Sequence, residues 1–159
     1  MRLKGLIDED FINYKIPSMY IATSTCTFKC DKESNGKWCQ NGTLATQKTI
    51  TLDDEIIINR YLSNGITHAI VLAGLEPMDT FDEVLAFTKT LRKKFKCKDD
   101  LVIYTGYTKA EIEDQVSQLQ QYENIVMKYG RFLPNYDKHF DKVLGVYLAS
   151  PNQYGERIS

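Results

Sequence analysis

Along the chain, polar turns separate short apolar runs whose periodicity alternates between strand-like and helix-like. Lys15 to Thr23 (KIPSMYIAT) reads as a first strand. Thr51-Leu52-Asp53-Asp54 then opens a helix, with Thr51 as the expected cap and the acidic residues favourable at the positive end of its dipole. Ile56, Ile57, Tyr61 and Leu62 supply its apolar positions, and Asn64-Gly65 ends it. Thr67 to Gly74 (THAIVLAG) is a continuous apolar run of the kind found in strands buried on both faces. A second helix is expected from Thr80 to Phe95, carrying Phe81, Val84, Leu85, Phe87 and Leu91. Leu101 to Gly106 (LVIYTG) is another buried-strand candidate. Thr108 and Glu111 have capping-box spacing for a third helix that buries Ile112, Val116 and Leu119. Asn124 to Gly130 (NIVMKYG) and Val143 to Ser150 (VLGVYLAS) read as two further strands.

The resulting order, βαβαβαββ, predicts an α/β fold with a mainly parallel sheet and right-handed crossovers. In such sheets ligands bind at the carboxyl ends of the strands. Four stretches separated in sequence are expected on that rim: the cysteine-bearing loop after Thr23, Gly74-Leu75-Glu76-Pro77, Thr105-Gly106-Tyr107, and Ser150 to Gln153. No repeat, low-complexity tract or Pro/Gly-rich linker divides the chain, so residues 1–159 read as one domain. A chain of this length buries roughly 68–70% of its unfolded surface and needs no metal merely to fold. Twenty basic residues against 21 acidic ones leave a net charge of −1, which gives no global reason to expect nucleic acid or an anionic membrane as partner. No apolar run approaches the ~18 residues of a membrane span, and MRLKGLIDEDF is too acidic for a signal peptide. The expected location is cytoplasmic.

In a reducing compartment, clustered cysteines more often serve metals or catalysis than disulfides. Three of the four lie within Cys26 to Cys39 (CTFKCDKESNGKWC), separated by three residues and then by eight. Four roles compete. Cysteine is often simply buried, but the segment DKESNGK is polar. A structural zinc site needs four ligands and paired knuckles; Cys97 is distant in sequence, and His68 and His139 lack knuckle spacing. A reactive cysteine needs an activating partner, and none stands at a telling spacing. A four-iron cluster on three thiolates would leave one iron open to a ligand with amino and carboxylate groups.

Cys-x3-Cys followed by Trp38-Cys39 resembles the cluster loop of the radical S-adenosylmethionine enzymes, most nearly the small activating enzymes of the anaerobic ribonucleoside-triphosphate reductase. Gly74-Leu75-Glu76-Pro77 stands where that family has Gly-Gly-Glu-Pro, and Tyr104-Thr105-Gly106-Tyr107 matches its aromatic-Thr-Gly-Tyr strand end. Gly130-Arg131-Phe132 and Ser150-Pro151-Asn152-Gln153 are similar to its C-terminal elements. Two positions depart from the pattern. The family spaces its last two cysteines by two residues rather than eight, an excursion that loop entropy tolerates and that Asn35-Gly36 can turn. Leu75 replaces the second glycine, which a negative φ would permit.

The resemblance implies a partial (β/α) barrel, the compact core of that superfamily. It implies a [4Fe-4S] cluster on Cys26, Cys30 and Cys39, with S-adenosylmethionine contacted by the Gly74 turn. Trp38 is expected at the adenine, Glu76 at the ammonium, Thr105 and Tyr107 at the ribose or methionine end, and Asn152 and Gln153 at ribose or carboxylate. The implied reaction is reductive cleavage to a 5′-deoxyadenosyl radical that generates a glycyl radical on a large reductase subunit, with flavodoxin or ferredoxin as electron donor. A radical enzyme acting on another protein or small molecule, and a non-enzymatic iron–sulfur or zinc protein, remain alternatives. Lys29, Lys32 and Lys37 could offset cluster charge. The basic run Lys89, Arg92, Lys93, Lys94, Lys96 and Lys98 reads as a solvated helix end or a docking patch for an acidic partner, and Cys97, His68 and His139 read as structural.

Overall fold

The fold, known here as a computed structural model, is described for residues 1–33 and 36–159. Its strands are β1 (Arg2–Asp10), β2 (Ser18–Thr23), β3 (Ile50–Thr51), β4 (Ala69–Gly74), β5 (Asp100–Tyr104), β6 (Ile125–Tyr129), β7 (His139–Asp141), β8 (Val146–Leu148) and β9 (Tyr154–Arg157). The helices are α1 (Lys29–Glu33), α2 (Gly42–Thr46), α3 (Asp54–Leu62), α4 (Phe81–Lys89) and α5 (Glu113–Leu119). Seven strands make one sheet in the order β3-β1-β2-β4-β5-β6-β9, and β7 pairs with β8 apart from it. The centre, β2-β4-β5-β6, is parallel throughout, as the apolar runs predict. The flanking pairs β1–β2 and β6–β9 are antiparallel.

Both faces of that centre are buried, which is why its strands lack polar alternation. One face packs Ile21, Ile70, Leu72, Leu101, Ile103 and Ile125 against Ile57, Phe87, Val116 and their neighbours on α3, α4 and α5. The other sets Ala69, Val71, Val102 and Val126 against Tyr14, Leu144 and Leu148. All three long helices therefore lie on one side, and the β7–β8 region covers the other.

Several boundaries differ from the sequence reading. β1 was not anticipated: RLKGLIDED lacks strict alternation, and two register shifts against β2 break its pattern. β2 begins at Ser18 rather than Lys15, after Pro17, whose ring removes a ladder donor. Asp53, not Thr51, caps α3, its carboxylate accepting from Glu55 N at 2.8 Å, while Thr51 lies in β3. The helix expected from Thr80 to Phe95 is α4 followed by a π turn Thr90–Lys94, and a 3-10 turn Pro77–Thr80 leads into it. Near the joint, Thr88 and Thr90 turn their hydroxyls back onto the carbonyls of Val84 and Ala86, a bonding that bends helices. The capping box is present as read, both halves made by Thr108 and Glu111. Only Val146–Leu148 of the last apolar run is strand, outside the main sheet, and the unanticipated β9 takes the edge beside β6. The Asn35-Gly36 turn falls on Asn35, outside the described residues.

Candidate metal centre

The carboxyl ends of β2, β4, β5 and β6 border one cavity of about 310 Å³. Its lining includes Cys26, Cys30, Cys39, Gly74, Leu75, Glu76, Thr105, Gly106, Arg131 and Gln153, so the four stretches expected on one rim do meet there.

Local chemistry positions the cysteine loop. Phe28 takes a left-handed φ of 53°, and its N–H approaches Cys26 Sγ at 3.2 Å. That turn starts α1, which carries Cys30. Asp31 then reaches over the excursion: one carboxylate oxygen accepts from both Trp38 N and Cys39 N at 2.8 Å. Cys39 is thus anchored near Cys30 in spite of eight intervening residues. From below, Thr27 N donates to Asp79 at 2.6 Å, and Asp79 also takes the Tyr107 hydroxyl at 2.6 Å. From the side, Arg131 meets Glu33 at 3.1 Å and Glu111 at 2.7 Å. Two cations approach the Tyr107 ring, Lys29 at 4.6 Å and Arg131 at 5.3 Å from its centroid.

The β4 turn explains its odd residue. Gly74 has φ +86°, and a Cβ there would sit 2.6 Å from Ala22 Cα, so glycine is required at that position. Leu75 is not among the residues of positive φ, and a side chain is tolerated. The Glu76 backbone N–H reaches Thr25 O at 2.9 Å, tying the turn to the cysteine loop. Its carboxylate is 6% exposed and accepts from Met78 N at 3.1 Å, Thr105 Oγ1 at 2.7 Å and Gly106 N at 2.8 Å.

Burial sets the electrostatics. It pushes the Cys26 thiol up to about 12, with Glu76 and Asp79 adding to the rise. It pushes Cys30 up to about 11, helped by Cys39 and Asp31. Burial also raises Glu76, against the lowering effect of its three hydrogen bonds. A metal bound in this cavity would displace the thiol protons that burial otherwise holds in place.

The other expected residues are placed as follows. Trp38 is 46% exposed and is not part of the cavity lining. Tyr107 borders a small adjoining hollow rather than the main cavity. Asn152 is exposed and donates to Arg131 O at 2.8 Å. Buried Gln153 lines the cavity but spends its amide on Ala149 N and Gly130 O. Cys97 is buried before β5, at the opposite end of the parallel strands from the other three cysteines. In the basic run, Arg92 is not solvated: it is 8% exposed and donates to carbonyls of Glu123, Cys97, Asp99 and Asn124. The sequence reading missed Asp31, Asp79 and Lys128. Asp31 and Asp79 sit in short helical turns, α1 and Pro77–Thr80, with no spacing that marks them; the one available signal for Lys128 is a charge inside an apolar run.

A mixed α/β fold with three thiols on one rim cavity defines a metal–thiolate protein in which the thiols border a cavity with room for a ligand. The match to the family model of the 4Fe-4S single cluster domain, over residues 18–147, gives the particular group: the chain belongs to that family. No curated protein and no solved structure matches the chain. The residues fit such a cluster. A cubane takes one thiolate per iron, and Cys26, Cys30 and Cys39 line the one cavity. No helix among the described residues is long and apolar enough to cross a membrane. A 4Fe-4S domain is compatible with redox enzyme activity.

Proposed function

We propose that the protein is a radical S-adenosylmethionine enzyme, an activating enzyme for an anaerobic ribonucleoside-triphosphate reductase. The observation that carries this reading is the meeting of Cys26, Cys30 and Cys39 with Glu76 on one cavity at the strand ends. Cys26, Cys30 and Cys39 would hold the cluster, which would supply the single electron for reductive cleavage of S-adenosylmethionine to methionine and a 5′-deoxyadenosyl radical. The proposed hydrogen donor is a glycine α-carbon of the large reductase subunit, and the proposed electron source is flavodoxin or ferredoxin in the cytoplasm.

The chain's own residues bind, orient and exclude water. Glu76 accepts three hydrogen bonds and a carboxylate has about four acceptor sites, so one remains for an ammonium. Thr105 and the Gly106 N–H fix the angle of that carboxylate. Trp38 in this reading swings from its exposed position onto the adenine, while Tyr107, Asn152 and Gln153 shape the rim. The sequential strand order of β2-β4-β5-β6 supports reading the sheet as a partial (β/α) barrel rather than a doubly wound one.

Incubating the cluster-loaded protein with the reductase subunit, a reductant and S-adenosylmethionine should yield a glycyl doublet in the electron paramagnetic resonance spectrum. No doublet from a preparation that cleaves S-adenosylmethionine would exclude the reductase as substrate while leaving the radical chemistry standing.

A further inference from the structure

A second cavity, of about 280 Å³, opens at the opposite end of the parallel strands from the cysteine trio. Arg92, Lys93, Lys96 and Lys98 line one side of it, and Tyr122 and Glu123, from the segment after α5, line the other. The lining thus carries four cations and one carboxylate. Buried Arg92 ties the two sides together. Its guanidinium donates to Cys97 O and Asp99 O at 2.8 Å on one side, and to Glu123 O at 2.8 Å and Asn124 O at 3.2 Å on the other. Asn124 Nδ2 adds a bond to Lys98 O at 2.8 Å. These backbone acceptors are thereby taken up by the protein's own donors. The lysines are not: among the described residues Lys93, Lys96 and Lys98 form no ion pair, and Lys93 approaches the Tyr122 ring at 5.8 Å. Each ammonium carries three N–H donors.

Cations at the end of a helix gain from its dipole whether or not anything binds them. That accounts for Lys93 but not for Lys96. Lys96 has a φ of +56°, the left-handed conformation in which helices commonly end on glycine, and a bond from Cys97 N to Leu91 O at 3.2 Å closes the turn around it. Glycine would serve this backbone better; the lysine strains it and brings a further ammonium to the cavity. A single carboxylate would engage one such group, whereas a chain of phosphates can engage several, lysine binding phosphate as a point charge. The volume is close to the ~300 Å³ at which small-molecule sites begin, a concavity that docking of an acidic protein surface does not require. The cavity is also remote from the cysteines. β5 alone spans five residues between the two ends, roughly 13 Å at about 3.3 Å per step.

We propose that this second cavity binds the phosphate chain of a small molecule, with Lys93, Lys96 and Lys98 as its cationic ligands. The site stands independently of the cluster and of the activity proposed above. The phosphate chain has two sources, an inorganic polyphosphate or a nucleotide whose sugar and base extend past Tyr122.

Cluster-loaded wild type, Lys96→Gly, Lys98→Gln and Lys94→Gln are titrated calorimetrically with inorganic tripolyphosphate and with ATP, at one ionic strength set by sodium chloride. Lys94→Gln is the charge-matched control: Lys94 belongs to the same basic run but pairs with Glu55 and is not part of the lining. Wild type should bind tripolyphosphate at one site per chain. Lys96→Gly and Lys98→Gln should each weaken that binding about fivefold, and Lys94→Gln about twofold at most. Without ligand, Lys96→Gly should melt at or above the wild-type midpoint, because glycine relieves the left-handed backbone. Its weaker binding then has no origin in misfolding. ATP that binds no more tightly than tripolyphosphate identifies the phosphate chain alone as the ligand, and tighter ATP identifies a nucleotide. Wild type that binds neither compound overturns the proposal, and so does a loss in Lys94→Gln as large as in the two cavity variants. Each outcome reads the same whether or not the protein cleaves S-adenosylmethionine.

Discussion

Thr105 Oγ1 donates to Glu76 Oε1 at 2.7 Å, joining the ends of two neighbouring parallel strands across the rim of the cavity. The same hydroxyl accepts from Tyr107 N at 3.0 Å, so one side chain orients a buried carboxylate and starts the next loop. Thr105→Val keeps the shape and removes both bonds. It should destabilise the fold by roughly 1–3 kcal/mol, the cost of leaving a buried acceptor short of a partner. Glu76→Gln keeps the size and removes the charge; it should weaken S-adenosylmethionine binding tenfold or more, and because its NH2 must face a backbone N–H of Met78 or Gly106 it should also cost roughly 1–3 kcal/mol of stability. Chemical denaturation and calorimetric titration of both variants separate the two effects.

Asp31 compensates for the long cysteine spacing. With Trp38 N and Cys39 N both on one carboxylate oxygen, Asp31→Ala releases the segment that carries Cys39. The expected result is a protein that folds but loads less iron and loses it sooner to a chelator. The ordering energy removed is roughly 1–3 kcal/mol. Asp31→Asn, which still accepts hydrogen bonds, should recover part of the loading. Equal iron retention in all three proteins would show that Cys39 is placed by something else.

Arg131 clamps Glu111 and Glu33, and the guanidinium holds the Glu111 carboxyl down at about 2. A folded-state value below the unfolded one means that this contribution is complete above about 4.5 and is lost as pH falls toward about 2. Glu111 is partly solvated, so the screened contribution is about 1 kcal/mol or less. Arg131→Met should flatten the stability profile of the apoprotein between those two pH values, lowering stability by about 1 kcal/mol or less at pH 7 to 8, where the clamp is complete, and changing it least near pH 2. An unchanged acid limb in the variant would remove the clamp from the account.

Gly74 and Leu75 make opposite predictions at adjacent positions. Gly74→Ala forces a Cβ to 2.6 Å from Ala22 Cα at φ +86°. It should cost about 1–2 kcal/mol for the left-handed backbone and a further 1–3 kcal/mol for the overlap. Leu75→Ala meets neither constraint and should leave the thermal midpoint much closer to wild type.

The central strands were legible because burial on both faces of a parallel sheet leaves one signal, an uninterrupted apolar run, and Thr67–Gly74 and Leu101–Gly106 carry it. The convergence of the four rim stretches followed from topology alone. β1 and β9 were hidden because strands at the sheet's margins bury little: β1, covered on its outer side only by the two-residue β3, keeps Leu3 and Asp10 buried and leaves Ile7 exposed, and the edge strand β9 has no buried residue. The cysteine trio was legible by spacing. Asp31, Asp79 and Arg131 each hold two groups on other segments, Trp38 N and Cys39 N, Thr27 N and the Tyr107 hydroxyl, and Glu33 and Glu111, pairings that no local pattern encodes. Lys128 was visible as a charge within NIVMKYG, a position that binary patterning assigns to the core. Arg92 failed in the opposite sense: as one cation among six it read as solvent-facing, whereas its guanidinium is buried against four carbonyls.

The central claim is that three thiolates leave one iron of a four-iron cluster open for S-adenosylmethionine. Its most direct test is anaerobic reconstitution, iron analysis and quantification of 5′-deoxyadenosine and methionine after reduction with dithionite. About four irons per chain, with equal yields of the two products that vanish in each of Cys26→Ala, Cys30→Ala and Cys39→Ala but persist in Cys97→Ala, is the predicted result. A fully loaded, reduced cluster that leaves S-adenosylmethionine intact, or iron retained without loss in the single-cysteine variants, would contradict it.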